Sequence, residues 1–119
     1  MSSRSGSTSD AWLLRDGEVL AALEVADSFG SRLRGLLGRD TIDGALLLRP
    51  ARSVHTLGMR FPIDVAFCDA DLAVIDTVTM GRHRLGRPRL RARCVIEARA
   101  GAFERWRLSP GDRLEVKGY

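Results

Sequence analysis

Lysine is almost missing from this chain: of 19 basic residues only Lys117 is Lys, and the other 18 are Arg. An Arg- and Ala-rich coding bias accounts for such a skew, yet its chemical consequence is specific. Guanidinium makes bidentate, weakly hydrated contacts to carboxylate and phosphate that an ammonium does not. Cysteine is scarce too. Cys68 and Cys94 stand alone, and no Cys or His pair has metal-ligand spacing, which argues against a zinc-type site. Two cysteines in a chain without an export signal read as buried, reduced and inert thiols, with a disulfide between neighbouring strands as the alternative. One Tyr and two Trp leave few platforms for stacking nucleobases. No apolar run approaches the roughly 18 residues of a membrane span, and no apolar stretch of about 7–15 residues follows the start. A soluble, cytoplasmic protein without membrane association is therefore expected. P-loop, nucleophile-elbow, dinucleotide and zincin motifs are all absent.

The 119 residues suffice for one core, and 45% hydrophobic against 29% charged residues argues against global disorder. Residues 1–10 are mostly Ser, Gly and Thr and read as a flexible polar tail; residues 11–119 read as a single globular domain. Trp12–Leu14 and Val19–Val25 are expected strands joined at Asp16-Gly17, a tight-turn dipeptide. Phe29, Leu33, Leu36 and Leu37 draw one apolar stripe along a helix that Gly38 would close. Ala45–Leu48 reads as a short buried strand stopped by Pro50. Ile63–Cys68 and Leu72–Met80 alternate in polarity around Asp69-Ala70-Asp71 and predict a hairpin. Strand Arg93–Ala98, a short helix over Ala102–Leu108, a turn at Ser109–Asp112 and strand Arg113–Val116 complete the order. Helices are too few for repeated βαβ units. The expected fold is α+β, a compact, mostly antiparallel sheet or small barrel with one main helix packed against it.

Two segments carry the candidate chemistry. The first is His55-Thr56-Leu57-Gly58-Met59-Arg60-Phe61-Pro62-Ile63-Asp64, an imidazole, a hydroxyl, a thioether, a guanidinium and a carboxylate at the mouth of a strand. Pro62 biases Phe61 toward extended backbone, so Arg60 leads straight into the strand. With Ile63 and Val65 facing the core, Asp64 would face outward or into a groove beneath the loop. His55, Arg60 and Asp64 would then converge on one concavity; the bland counterpart is an Asp64–Arg60 ion pair bracing a corner. General acid–base catalysis by His55 and Asp64 is one reading of the pair, with Ser53 nearby in sequence as weak support. A soft-metal site from His55, Met59 and Cys68 would suit Cu(I), but the spacing fits no known site, so neither metal nor cofactor is expected.

The second segment runs from Arg82 to Arg93 and holds six arginines, Arg82, Arg84, Arg87, Arg89, Arg91 and Arg93, with no acid. Residues 49–93 carry nine Arg against four acids, so the positive excess of the chain lies there. Such a segment attracts polyanions, with binding that weakens as salt rises. It contains no aromatic residue for base stacking and no helix-turn-helix or RNA-binding signature, and a solvated loop is its default reading.

Several motifs together resemble a known family. They are Arg32-Leu33-Arg34-Gly35-Leu36-Leu37-Gly38-Arg39, Gly44-Ala45-Leu46-Leu47-Leu48, the box continued through Val65-Ala66-Phe67-Cys68-Asp69, Val95-Ile96-Glu97-Ala98-Arg99-Ala100-Gly101, and Gly111-Asp112. In that order they resemble the domain of unknown function 192 family of small prokaryotic proteins, over about residues 19–117. The resemblance implies a β-rich α+β domain and supplies no activity, substrate or cofactor. It places site-like residues at His55, Thr56, Met59, Arg60, Pro62, Asp64 and Glu97. The chain departs from the family where Met80-Gly81 replaces a common proline after the second hairpin strand. Other branches carry a Trp-Met-Lys-Asn-Thr style of box, and some relatives carry export signals, none of which is expected here.

The leading expectation is a non-enzymatic binding module for a small anionic ligand or peptide carboxylate, lined by His55, Thr56, Met59, Arg60, Asp64 and Glu97. The alternatives are polyanion or nucleic-acid binding through Arg82–Arg93, and a hydrolase-type enzyme using His55 and Asp64.

Overall fold

Seven strands form one sheet: β1 (Ser9–Arg15), β2 (Glu18–Ala26), β3 (Ala45–Leu48), β4 (Ile63–Cys68), β5 (Val74–Met80), β6 (Cys94–Arg99) and β7 (Glu115–Lys117). Between β6 and β7 lies helix α1 (Ala102–Trp106). The structure is a computed structural model that describes residues 9–28, 36 and 38–118. The strand order is β5-β4-β6-β3-β2-β1-β7. Every pairing is antiparallel except β2 with β3. A parallel pair needs a crossover of a dozen or more residues, and the chain between Ala26 and Ala45 supplies it. The helix expected over Phe29–Leu37 falls in that crossover and lies outside the described residues except for Leu36, which is buried. Most of the expected polar tail lies outside them as well. Among the described residues, the helix on the sheet is α1.

Local chemistry explains the hairpins. Asp16 and Gly17 both take positive φ, 54° and 80°, which matches the right-handed twist of β1 and β2. Between β4 and β5 the Asp69 carboxylate accepts the amides of Asp71 at 2.9 Å and Ala73 at 3.0 Å, fixing the predicted turn. All six residues of β4 are buried, because both faces of the central sheet are covered. On one face Ala66, Cys68, Cys94, Ile96 and Ala98 pack with Leu13, Leu23, Val25 and Leu47, under Ala102 and Phe103 of α1. On the other, Ile63, Val65, Phe67 and Val95 pack with Ala26, Leu46, Val54 and Met59.

The sheet curls without closing. The bridge Ala73–Arg113 and bonds such as Val74 N–H to the Asp112 carbonyl at 2.8 Å draw the start of β5 toward the chain entering β7. Among the described residues no ladder between the edge strands follows, so the barrel alternative is corrected to an open sheet. No described helix is long and apolar enough to cross a membrane.

Candidate functional site

The two segments singled out in sequence are zipped together. The Thr56 amide donates to the Arg84 carbonyl at 2.8 Å, the Gly86 amide to Val54 at 2.8 Å and the Arg89 amide to Arg52 at 2.9 Å. His55 and Leu85 form an antiparallel bridge. The result is an irregular two-stranded ribbon built from residues 52–58 and 81–89. Thr56 is its pin: fully buried, its hydroxyl donates to the Gly81 carbonyl at 2.6 Å and accepts the Arg84 amide at 2.8 Å. His83, at φ 58°, turns its ring so that Nδ1 accepts the Gly58 amide at 3.1 Å. Gly86 permits the close approach, since a Cβ there would run into the Val54 carbonyl oxygen.

The box residues do not converge. His55 is exposed on the ribbon. Thr56 and Met59 are buried, Met59 in the core beneath the loop. Arg60 pairs with Asp40 at 2.7 Å, both groups well exposed, rather than with Asp64. Asp64 points to the opposite face of the sheet and is only 3% exposed. Its Oδ2 accepts the amides of Gly101 at 2.9 Å and Phe103 at 3.1 Å, and its Oδ1 accepts the Thr79 hydroxyl at 2.7 Å. A hollow of about 270 Å³ beside it is lined by Thr77, Val78, Thr79, Gly101, Phe103 and Glu104, with no other residue of the box. The expected groove joining His55, Arg60 and Asp64 is thus corrected. Strand alternation sends Asp64 away from Ile63 and Val65, and the amides at the start of α1 take up its charge.

Glu97 lies across from Leu46 and Val65, on the face that Met59 covers, and is 5% exposed. Burial pushes its carboxyl up to about 7, partly offset by the Arg39 guanidinium. Arg39 itself grips Glu24 through two bonds of 3.2 and 2.7 Å. Asp64 and Glu97 therefore serve opposite faces of the sheet. Cys68 and Cys94 face each other in register as free, buried thiols. The interaction with Cys94, together with burial, pushes the Cys68 thiol up, while the interaction with Cys68 pulls Cys94 down. Cys68 and Met59 belong to different cores, so the His55–Met59–Cys68 metal idea has no geometry behind it. Among the described residues no cluster of three His, Cys, Asp or Glu side chains could hold a metal.

The arginines of the second segment divide by role. Arg89 is built into the fold: it donates to Asp76 at 2.9 and 3.1 Å, and its guanidinium lies 4.2 Å from the centroid of the buried Phe67 ring. Arg93 donates to the carbonyls of Leu90 at 3.2 Å and Ala92 at 3.0 Å. Arg82, Arg84, Arg87 and Arg91 are exposed, and none pairs with an acid among the described residues. Residues 49–62 and 80–93 together hold nine of the 19 basic residues, both His and none of the 15 acids. The rest of the chain has ten basic residues against 15 acids and is net negative. Sequence reading identified the basic run but missed its partner strand, because hydrogen bonding between two irregular segments has no periodicity to detect. The absence of acids from both segments was the available signal.

Residues 12–116 match the family model DUF192, described as Uncharacterized ACR, COG1430. A UPF0127 protein of Pyrococcus horikoshii is 31% identical over 105 residues, spanning 84% of this chain and 88% of that protein. One from Pyrococcus furiosus is 31% identical over 103 residues, spanning 82% and 89%. A solved structure from Sinorhizobium meliloti, designated a candidate transcription regulator, superposes with a TM-score of 0.79 at 21% identity, covering 97% of this chain and 98% of that one. A protein of unknown function from Novosphingobium aromaticivorans superposes at 0.75 with 16% identity, covering 96% and 91%. At those identities the two structures show a shared fold. The family match and the relatives together establish that the chain belongs to the DUF192 family.

Proposed function

We propose that this chain is a polyanion-binding domain that grips the sugar-phosphate backbone of a nucleic acid with its basic ribbon. The observation that carries the reading is the pairing of two acid-free segments into one hydrogen-bonded surface that leaves Arg82, Arg84, Arg87 and Arg91 uncompensated. Holding the backbone in place lowers the ordering cost of binding, and guanidinium suits phosphate. His55 lies on the same ribbon and adds a hydrogen-bonding group. The small-anion groove has less support: Thr56, Met59 and Asp64 are consumed by the fold, and Arg60 is already paired. A hydrolase reading has less still, since every hydrogen bond of Asp64 goes to Thr79 or to the start of α1. The designation of the Sinorhizobium meliloti protein accords with nucleic-acid contact, although fold likeness carries no function by itself and the reading rests on the surface.

Charge reversal is the direct test. Arg84→Glu with Arg87→Glu should lower affinity for a labelled nucleic acid by at least about tenfold in a gel-shift assay, through lost counterion release and new repulsion. Reversal of Arg99 and Arg105, outside the ribbon, should change it little. Equal effects from both pairs would contradict the assignment.

A further inference from the structure

We propose that Leu85 and Leu90 are apolar wedges through which the ribbon engages and bends duplex DNA. The inference rests on the nucleic-acid reading above and names the form of nucleic acid. Leu85 is 77% exposed and Leu90 80% exposed. Of five exposed large hydrophobic residues among the described ones, three, namely Leu57, Leu85 and Leu90, belong to the ribbon and its basic continuation. Isolated exposed apolar side chains are ordinary, but three of five falling in the two acid-free, Arg-rich segments are a local concentration.

The surroundings select the occupant. Exposed arginines adjoin both leucines in sequence, Arg84 and Arg87 around Leu85 and Arg91 after Leu90, while Arg89 is held by Asp76. The surface is therefore complementary to a dense array of phosphates. No aromatic side chain lies between Arg82 and Arg93, so the stacking platform of a single-strand binder is missing. Leucine is a recurrent wedge in proteins that enter the minor groove, where it parts two base pairs while nearby cations hold the phosphates. Five residues span at most about 17 Å, and base pairs rise about 3.4 Å, so both leucines can meet one site of some five steps. The main-chain bonds through Thr56 and Gly86 hold Leu85 out from the surface.

The test uses a duplex of about 20 base pairs carrying a donor and an acceptor dye at its ends, titrated with the full chain. Binding should raise energy transfer, as expected for a bend of roughly 20–90°. The Leu85→Ala, Leu90→Ala double variant should keep its thermal midpoint and salt dependence, bind about tenfold more weakly and leave energy transfer at the level of free DNA. Persistence of the transfer change in that variant would overturn the proposal, as would binding by the parent chain without bending. Tighter binding of the matching single strand, or equal binding and bending of duplex RNA, would overturn it too. Self-association abolished by the double variant would assign the leucines to a second copy of the chain instead. Failure to bind any nucleic acid would strike the broader reading, which separates the two failures.

Discussion

At Asp64 one carboxylate holds three elements together: β4 carries it, β5 donates the Thr79 hydroxyl, and the start of α1 donates two amides. Truncation would leave those donors without an acceptor, at roughly 1–3 kcal/mol for each one that stays buried. Asp64→Ala should therefore cost about 3–4 kcal/mol, read as a lower urea midpoint, whereas a mere ligand contact would leave stability unchanged. Glu97 behaves differently. Its folded value, about 7, lies above the ordinary 4.5 of a glutamate, so between those values the folded state holds a proton that the unfolded chain releases. Stability from this group is full below about pH 4.5, falls as pH rises toward 7, and stays lower above it, a change on the order of 3 kcal/mol. Glu97→Gln should flatten that part of the profile and raise the urea midpoint at pH 8 more than at pH 5. A profile unchanged by the substitution would contradict the burial argument. The identity of both acids was visible in the sequence. Their roles were not, because a buried cap and a buried proton carrier depend on what packs against them.

At the scale of elements, the legible parts were those with a local signal. Asp16-Gly17 announced the first turn, and the alternation around Asp69-Ala70-Asp71 announced the β4–β5 hairpin. Residues 52–58 and 81–89 had no such signal, since each is irregular alone and acquires its shape only from the other. Gly86 is where that dependence can be probed. A methyl group at Gly86 meets the Val54 carbonyl, main chain that cannot swing aside. Gly86→Ala should cost about 1–3 kcal/mol and accelerate amide exchange at Thr56 and Gly86 more than in β4. Exchange left unchanged at those two amides would show that the ribbon does not need the close contact. The same variant should weaken nucleic-acid binding with all its arginines present, because a loosened ribbon must be ordered on binding.

For the molecule as a whole, charge is segregated along the sequence, and acids from outside the two basic segments reach them at Arg60, through Asp40, and at Arg89, through Asp76. The topology brings two acid-free stretches of the chain side by side, while the remainder carries an acidic excess. Composition alone recorded only a net charge of +4, which conceals that polarity. The open sheet explains how it arises: β4 and β6 are buried on both faces, so the loops that enter and leave them must carry the surface chemistry. A field of this kind steers polyanions and leaves a distinct thermodynamic trace, the release of condensed counterions.

That trace is the sharpest test: the affinity of the full chain for a labelled duplex, measured by fluorescence anisotropy between about 50 and 200 mM salt. With phosphate contacts from Arg82, Arg84, Arg87 and Arg91, log affinity should fall against log salt with a slope of about −3 to −4, roughly a hundredfold loss across that range. A slope near zero, or no binding at the lowest salt, would contradict the account.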